Sequence, residues 1–470
     1  MFLTLIRKEM MHHILSVRFV ALLVMCLLLV PLTLHINYRN YRQNLVDYQE
    51  AVKQANIEET TINVKMPPKP EVEVSKLFLK PTPLSVFAKG LGDALPSYLG
   101  MTRNGITQGP QSTFSAPLSQ LFGHLDFLFV VGTVFSLLAL LFTFDVVAGE
   151  REAGTLRITL SNPIPRDLFL WSKLIGGYVV FIVAFLVSLL FGLLILVWQG
   201  FPLGEPGIFP RVFSITLASL LYIGVFFAMG TVISTYLDSP KTALIFAFTV
   251  WVFAVLIIPR LGFLTAKIIV PARTSQSVYM EKTAIRDSFD VELKEQKTKF
   301  YMEVPPDEQG VRRISDEISK KVEERMTPLE EEYRSKFQNF VNKLDRDYKR
   351  EIERQEHVGE MFSRITPTSS LIYLTTNLTQ TGKLERSNYF QTGDRYYEML
   401  RTDFFSKILD HTSYRVRHPR DNVIITQPPP LVTTTLGEIF RQSAVDVLLL
   451  CFFAVALTTV AFLKFFRSDI

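Results

Sequence analysis

Cysteine is nearly missing from this sequence: 470 residues contain two, Cys26 and Cys451, and both fall inside apolar runs. That placement excludes a disulfide framework and a CxxC metal pair, and it leaves the thiols as small apolar packers. The seven histidines are scattered without ligand spacing, and the adjacent His12 and His13 would point about 100° apart on a helix, so no metal is expected. Charge of one sign is missing too. Fifty Lys and Arg against 45 Asp and Glu leave a net +5 spread over alternating stretches, which offers no basic face for nucleic acid. The chain also lacks a GxxxxGKS or GxxxxGKT phosphate loop, a GxSxG elbow and an HExxH pair. It is therefore expected to hold no cofactor of its own and to catalyse nothing by those routes.

What the chain does have is apolar residues in long runs, 48% of the sequence with 38 Phe among them. Residues 1 to about 13 place Phe2, Leu5, Ile6 and Met10 at helical spacing, which predicts an amphipathic helix lying in the membrane interface. With the first span, about Ile14 to Leu34, they form segment 1–34. The first span carries no cleavage site and is read as retained. Segment 35–123 is a first water-exposed region. Its helix continues through Tyr38, Tyr41, Leu45, Tyr48 and Val52, and short extended pieces follow around Ile62, Val64, Val72 and Val74. A Gly-, Ser- and Pro-rich return from Gly90 to Pro117 comes next, whose GLGDALPSYLG reads as a flexible loop.

Segment 124–270 carries spans two to five: about Leu125 to Val147, Leu174 to Trp198, Val212 to Ile233, and a fifth beginning near Ala243. The fifth meets Pro259 after about sixteen apolar residues, short for a crossing, and Leu261 to Val270 is apolar again, so a broken or re-entrant end is expected. Segment 271–436 is a second external region with long charged helices. Ile285, Phe289, Leu293 and Phe300 make one stripe and Leu329, Tyr333, Phe337, Phe340, Leu344, Tyr348 and Ile352 another, giving a helical hairpin broken at Pro305-Pro306. Thr327, Pro328 and Glu330 predict a restart or kink, and ITPTSSLIYLTTNLTQTG is less patterned and expected to pack back near the bilayer. Segment 437–470 holds the last span, about Ala444 to Phe466, and a short tail. Asp126, Asp145 and Asp446 sit at span ends, where interfacial water can reach them.

The positive-inside bias orients the six spans. Arg7, Lys8, Arg18, Arg151, Arg157, Arg166, Lys173, Lys241, Lys464 and Arg467 fall on one side, and the short opposite turn offers Arg211 alone. Both termini and the connector at 149–166 are therefore expected in the cytoplasm, and both large regions outside. The connector, GEREAGTLRITLSNPIPR, is dense in charge for a link between two apolar runs. Glu150, Arg151 and Glu152 supply interfacial charges, Gly154 loosens the backbone, and Leu156 with Leu160 make an i,i+4 apolar pair. Pro163 and Pro165 stop the short helix and Asp167 is placed to cap the next. A helix tied in this way to two spans at once moves both when it is pushed.

These residues resemble the coupling-helix signature of ABC-2 type transporter permeases, an E-R-E, G-T-L, then S/T-x-P-x-x-R progression between spans two and three. The matching positions are Glu150, Arg151, Glu152, Gly154, Thr155, Leu156, Ser161, Pro163 and Arg166, and Gly149 and Leu160 belong to the same stretch. The resemblance covers the membrane portion, and the two large inserts resemble a bacterial subgroup of such permeases. It implies a mainly α, six-span permease with a periplasmic helical hairpin and a smaller mixed periplasmic region, in the bacterial inner membrane. It also implies a second permease subunit, identical or related, and a cytoplasmic ABC ATPase dimer, which carries the ATP and Mg and docks on Glu150 to Leu160. The expected function is the transmembrane subunit of an ATP-driven exporter. The alternative is a mechanical transmitter that drives a periplasmic or envelope partner and moves nothing through its own spans.

Overall fold

The computed structural model describes residues 2–61, 72–103, 105–110, 125–161, 165–303, 316–405 and 427–467. Ile62, Val64, Pro305, Pro306 and Pro163 lie outside them. Among the described residues six helices are long and apolar enough to cross a membrane: Val17–Asn56, Phe127–Glu152, Arg166–Trp198, Ile208–Tyr236, Pro240–Ile269 and Ala444–Arg467. The chain is mainly α and divides into two compact units, one of Met1–Ile257 with Thr366–Ile470, the other of Ile258–Ile365.

The first unit holds the membrane bundle. The amphipathic helix Phe2–Ile14 packs along the start of the third span: a methyl at Gly176 would lie 2.9 Å from the Glu9 Cβ, and one at Gly177 3.2 Å from the His13 Nε2. The first span belongs to one helix, Val17–Thr61, with Pro31 inside it. It lies against the third span, where the Ser188 hydroxyl donates to the Cys26 carbonyl and Gly192 makes room for Leu34. Edge-to-face phenyl rings tie the second, third and fourth spans together, with centroids 5.5 Å apart for Phe135–Phe185, 5.7 Å for Phe142–Phe181 and 5.4 Å for Phe181–Phe227.

Two spans widen locally into π-helix, at Val130–Phe135 in the second and Val252–Ile257 in the fifth. The fifth is helical from Pro240 to Ile269, which corrects the break expected at Pro259. A proline ring clashes with the carbonyl four residues back, here Val255, and the wide π turn opens that carbonyl's position without ending the helix. In the second span the π turn's carbonyl at Gly132 accepts from the Tyr222 hydroxyl at 2.7 Å and the Ser136 hydroxyl at 2.7 Å. Ser136 in turn accepts from the Trp251 indole at 2.9 Å.

The stretch that looked least patterned is a helix, Pro367–Leu378, and it is buried. Leu371, Leu374 and Leu378 enter the main core, while the opposite positions Thr368, Ser369, Ser370, Thr375 and Thr376 are buried as well. This hydroxyl-rich helix lies against the fourth and sixth spans and both π segments. Thr368 meets the Tyr222 hydroxyl at 3.1 Å, and Asn377 donates to Ser443 at 3.0 Å.

The inserts contribute a three-stranded antiparallel sheet, β1 (Ser75–Phe78), β2 (Tyr98–Thr102) and β3 (Gly105–Gln108), in the order β1-β2-β3 with Leu77 opposite Leu99 and Met101 opposite Ile106. The strand β1 begins just beyond the extended piece expected at Val72 and Val74. GLGDALPSYLG is corrected: its end is the start of β2, with Leu99 fully buried. The helix Lys383–Leu400 covers the sheet, and Gly393 lets Leu99 approach its backbone. Two buried tyrosines on that helix reach the sheet, Tyr396 to Ser75 at 2.7 Å and Tyr389 to the Leu77 carbonyl at 3.2 Å. The mixed region is thus built from both inserts. Asp126 caps the second span, accepting from the backbone N–H of Phe129 at 2.8 Å and of Lys89 at 3.0 Å.

The second unit is an antiparallel helical hairpin. Ser275–Met302 has 28 residues and Asp316–Ser363 has 48, about 42 Å and about 72 Å at 1.5 Å per residue. The contacts Arg273–Glu351 at 3.0 Å, Lys282–Asp345 at 2.6 Å and Arg325–Glu303 at 3.2 Å keep a constant register, as do Phe289 and Tyr333, with ring centroids 5.5 Å apart. The helix Ile258–Ile269 joins the same face, its Gly262 against the Ser363 and Gly359 backbone. No helix restarts at Thr327: Pro328 is inside the long helix. The Glu324 carbonyl, which loses its helical donor at Pro328, lies on a mostly exposed, highly charged helix where water can solvate it.

Candidate coupling site on the face of the bundle

The connector between spans two and three starts as the helix Ala148–Glu152, turns at Ala153-Gly154, and resumes as Thr155–Ser161. Gly154 has φ +72, the left-handed position that ends a helix and that a side chain resists. Thr155 steadies the turn by donating to the Glu150 carbonyl at 3.3 Å. Gly149 lies one turn beyond Asp145, with a Cβ position 3.5 Å from that side chain.

The head of the connector is anchored at every residue but the third. Glu150 pairs with Lys173 at 2.6 Å, and Lys173 also reaches Glu9 at 3.3 Å, so one nearly buried ammonium on the third span joins the connector to the N-terminal helix. Arg151 pairs with Asp238 at 2.6 Å, in the link between spans four and five. The Ser234 hydroxyl of span four accepts from the backbone N–H of Val147 at 2.9 Å and of Ala148 at 3.1 Å, the first donors of the short helix. Asp145 takes both terminal nitrogens of Arg18, at 2.9 and 2.7 Å, which fixes span one to the base of span two.

The second half is anchored by packing. Leu156 is fully buried and Leu160 half-buried, both in one cluster with Val147, Phe169, Leu170, Ala461 and Phe465. That cluster brings spans two, three and six to the connector, and Phe169 and Phe465 stack with centroids 5.7 Å apart. Arg166 donates to the Phe466 carbonyl at 3.2 Å, at the end of span six. The cap of span three is Pro165 and not Asp167, whose carboxylate sits in the first turn, where the helix dipole favours it.

What remains outside is a continuous exposed surface of Glu152, Ala153, Gly154, Thr155, Arg157 and Ile158, the last 68% exposed. An apolar side chain so exposed, on a segment otherwise tied down by ion pairs and core contacts, marks this face as the solvent side of the connector. Glu150, Arg151, Leu156 and Leu160 thus turn inward to the bundle, Arg166 is exposed and reaches the end of span six, and Glu152, Gly154 and Thr155 face outward. Lys173, Asp238, Ser234, Glu9 and Arg18 are the partners that motif reading did not assign. Lys173 had a signal, a lone lysine heading a charge-free run to Trp198. The others carried none, because their partners lie in distant elements. Among the described residues no group of His, Cys, Asp and Glu has the grouping of a metal site.

A family profile described as ABC-2 family transporter protein matches residues 3–470, nearly the whole chain. The chain belongs to the ABC-2 transporter family. It is a multi-pass membrane protein of the permease class, the membrane subunit of an ABC transporter, and members of that class are paired with an ABC ATPase. No curated protein matches the chain.

Proposed function

We propose that this ABC-2 permease couples hydrolysis by a separate cytoplasmic ATPase dimer to export across the bacterial inner membrane, with the Glu152–Ile158 face as the docking surface. The observation that carries the reading is the division of the connector into two faces. Its inner face is tied by ion pairs or core contacts to the N-terminal helix and to spans two, three, four and six, and its outer face is exposed. A rigid body tied to that many spans passes on a push as a movement of the bundle. A second permease subunit, identical or related, completes the transporter, both termini lie in the cytoplasm with the connector, and the inserts lie in the periplasm.

One observation favours the mechanical reading as a second. The second unit is a pair of antiparallel, highly charged helices of 28 and 48 residues, a reach far beyond what a connection between two spans needs. In this version an envelope partner receives the motion at the hairpin.

The docking face is tested by co-purification of the cognate ATPase with Arg157→Glu plus Ile158→Asp. Both side chains are exposed, so the permease should elute as the wild type does while ATPase recovery falls about tenfold or more. Unchanged recovery and turnover would show that the ATPase docks elsewhere.

A further inference from the structure

The first helix does not end where its apolar residues end. Twenty residues from Val17 to Ile36 measure about 30 Å, the hydrocarbon thickness of a bilayer. The same helix then carries His35, Tyr38, Arg39, Arg42 and Val46 along one wall of an open groove of about 580 Å³, with Gln199 opposite. Gln199 directly follows Trp198, which closes the third span and is almost wholly exposed, the marker of a membrane–water boundary. The groove therefore lies at headgroup level.

Its polar groups are set for an anion. The Tyr38 hydroxyl donates to the Gln199 carbonyl at 3.3 Å, and the Gln199 amide nitrogen donates to the His35 Nδ1 at 2.7 Å. That bond leaves the imidazole proton on Nε2, a donor still available. Arg39 and Arg42 are exposed, and among the described residues neither has an ion pair or hydrogen bond. The first acid further along the helix is Asp47, which Gln43 engages at 2.9 Å, and Glu205 lines a separate depression with Leu203 and Pro206.

The same helical face continues into the bilayer. Val24, Leu28 and Leu32 are exposed, and with His35, Arg39, Arg42 and Val46 they follow each other at three- and four-residue spacing. An apolar ladder that ends in two free guanidiniums matches an acyl chain that ends in a phosphate, and a soluble anion would have no use for the ladder.

We propose that this groove binds the phosphate headgroup of an anionic phospholipid, with Arg39 and Arg42 holding the phosphate and an acyl chain lying along Val24, Leu28 and Leu32. The lipid clamps the extension of span one to the end of span three at the insert end of the bundle. The site is distinct from the connector and does not depend on the docking reading.

Native mass spectrometry of the full chain in a neutral detergent tests it, with phosphatidylglycerol, phosphatidylcholine and glycerol 3-phosphate as probes. The wild type should bind phosphatidylglycerol about tenfold more tightly than phosphatidylcholine, given roughly one factor of several per basic residue at a headgroup. Arg39→Gln plus Arg42→Gln should bring the two lipids level, while Lys53→Gln, an exposed lysine further along the helix, should leave the preference intact. Equal binding of the two lipids by the wild type, or an undiminished preference in the double variant, would overturn the proposal. So would displacement of phosphatidylglycerol by glycerol 3-phosphate at comparable concentration, which would make this a site for a soluble phosphate.

Discussion

At the scale of single residues, the charges of this chain are used mainly as ties, and Glu385 is a charge left in tension. It lies in the first turn of the helix that covers the sheet, its Oε2 is buried without a hydrogen bond, and burial raises its pKa to about 7 although the nearby Arg211 guanidinium opposes the rise. Arg211 is itself committed, donating to the Thr434 carbonyl before span six. A carboxyl whose folded pKa stands above its unfolded value binds more protons folded than unfolded. Its contribution to stability is therefore greatest below the unfolded value near 4.5 and is lost as pH rises to about 7. Thermal midpoints of the detergent-solubilised protein should fall across that window, and Glu385→Gln should flatten the fall and raise the midpoint at pH 8. A variant that follows the wild-type profile would mean that other groups set the pH response.

At the scale of elements, the bundle is held by close crossings and by carbonyls opened in π turns. Spans two and four meet where Gly230 faces Thr143: an added Cβ would overlap the Thr143 hydroxyl and come within 3.3 Å of Leu140. Gly230→Ala should therefore destabilise by about 1–3 kcal/mol as an overpacked contact. Thr143→Ala in the same chain should recover part of that loss, since Thr143 hydrogen-bonds only to the Ala139 and Leu140 carbonyls of its own helix. The pair is read from thermal unfolding of the four proteins of the cycle, and strictly additive losses would show that the two residues do not meet. The hydroxyl-rich helix Pro367–Leu378 belongs to this scale too. Its serines and threonines give no amphipathic period, yet they suit a helix surrounded on all sides, where small side chains allow close approach and hydroxyls can bond back to carbonyls of their own turn, as Thr376 does to Ile372 at 2.8 Å.

At the scale of the whole molecule, the chain divides into two compact units. The hairpin's antiparallel register places residue 284 across from residue 341, so removing 284–341 and joining the ends through a short Gly-Ser turn leaves a paired stub. The bundle unit has its own core and should remain folded and membrane-inserted. If the chain is an exporter, ATP turnover by the assembled complex and export should survive the excision. If it is a mechanical transmitter, turnover survives and the envelope function is lost. Loss of turnover itself would place the hairpin within the coupling route and count against both readings.

The sequence by itself determined the spans, the amphipathic start, the helical stripes of the hairpin and the connector as the place of interest. All of these are local: apolar runs, 3.6-residue periods and a compact motif are written in neighbouring residues. Only the tertiary structure decided which way each described connector side chain faces. That depends on Lys173, Ser234, Asp238 and Phe465, up to about three hundred residues away. It likewise decided that a proline in the fifth span meets a π turn and no break, and that GLGDALPSYLG feeds a buried strand. Most of all, it showed that the hydroxyl helix lies inside the bundle. A helix buried on every side has no polar face to leave in the sequence, so its neighbours alone could reveal it.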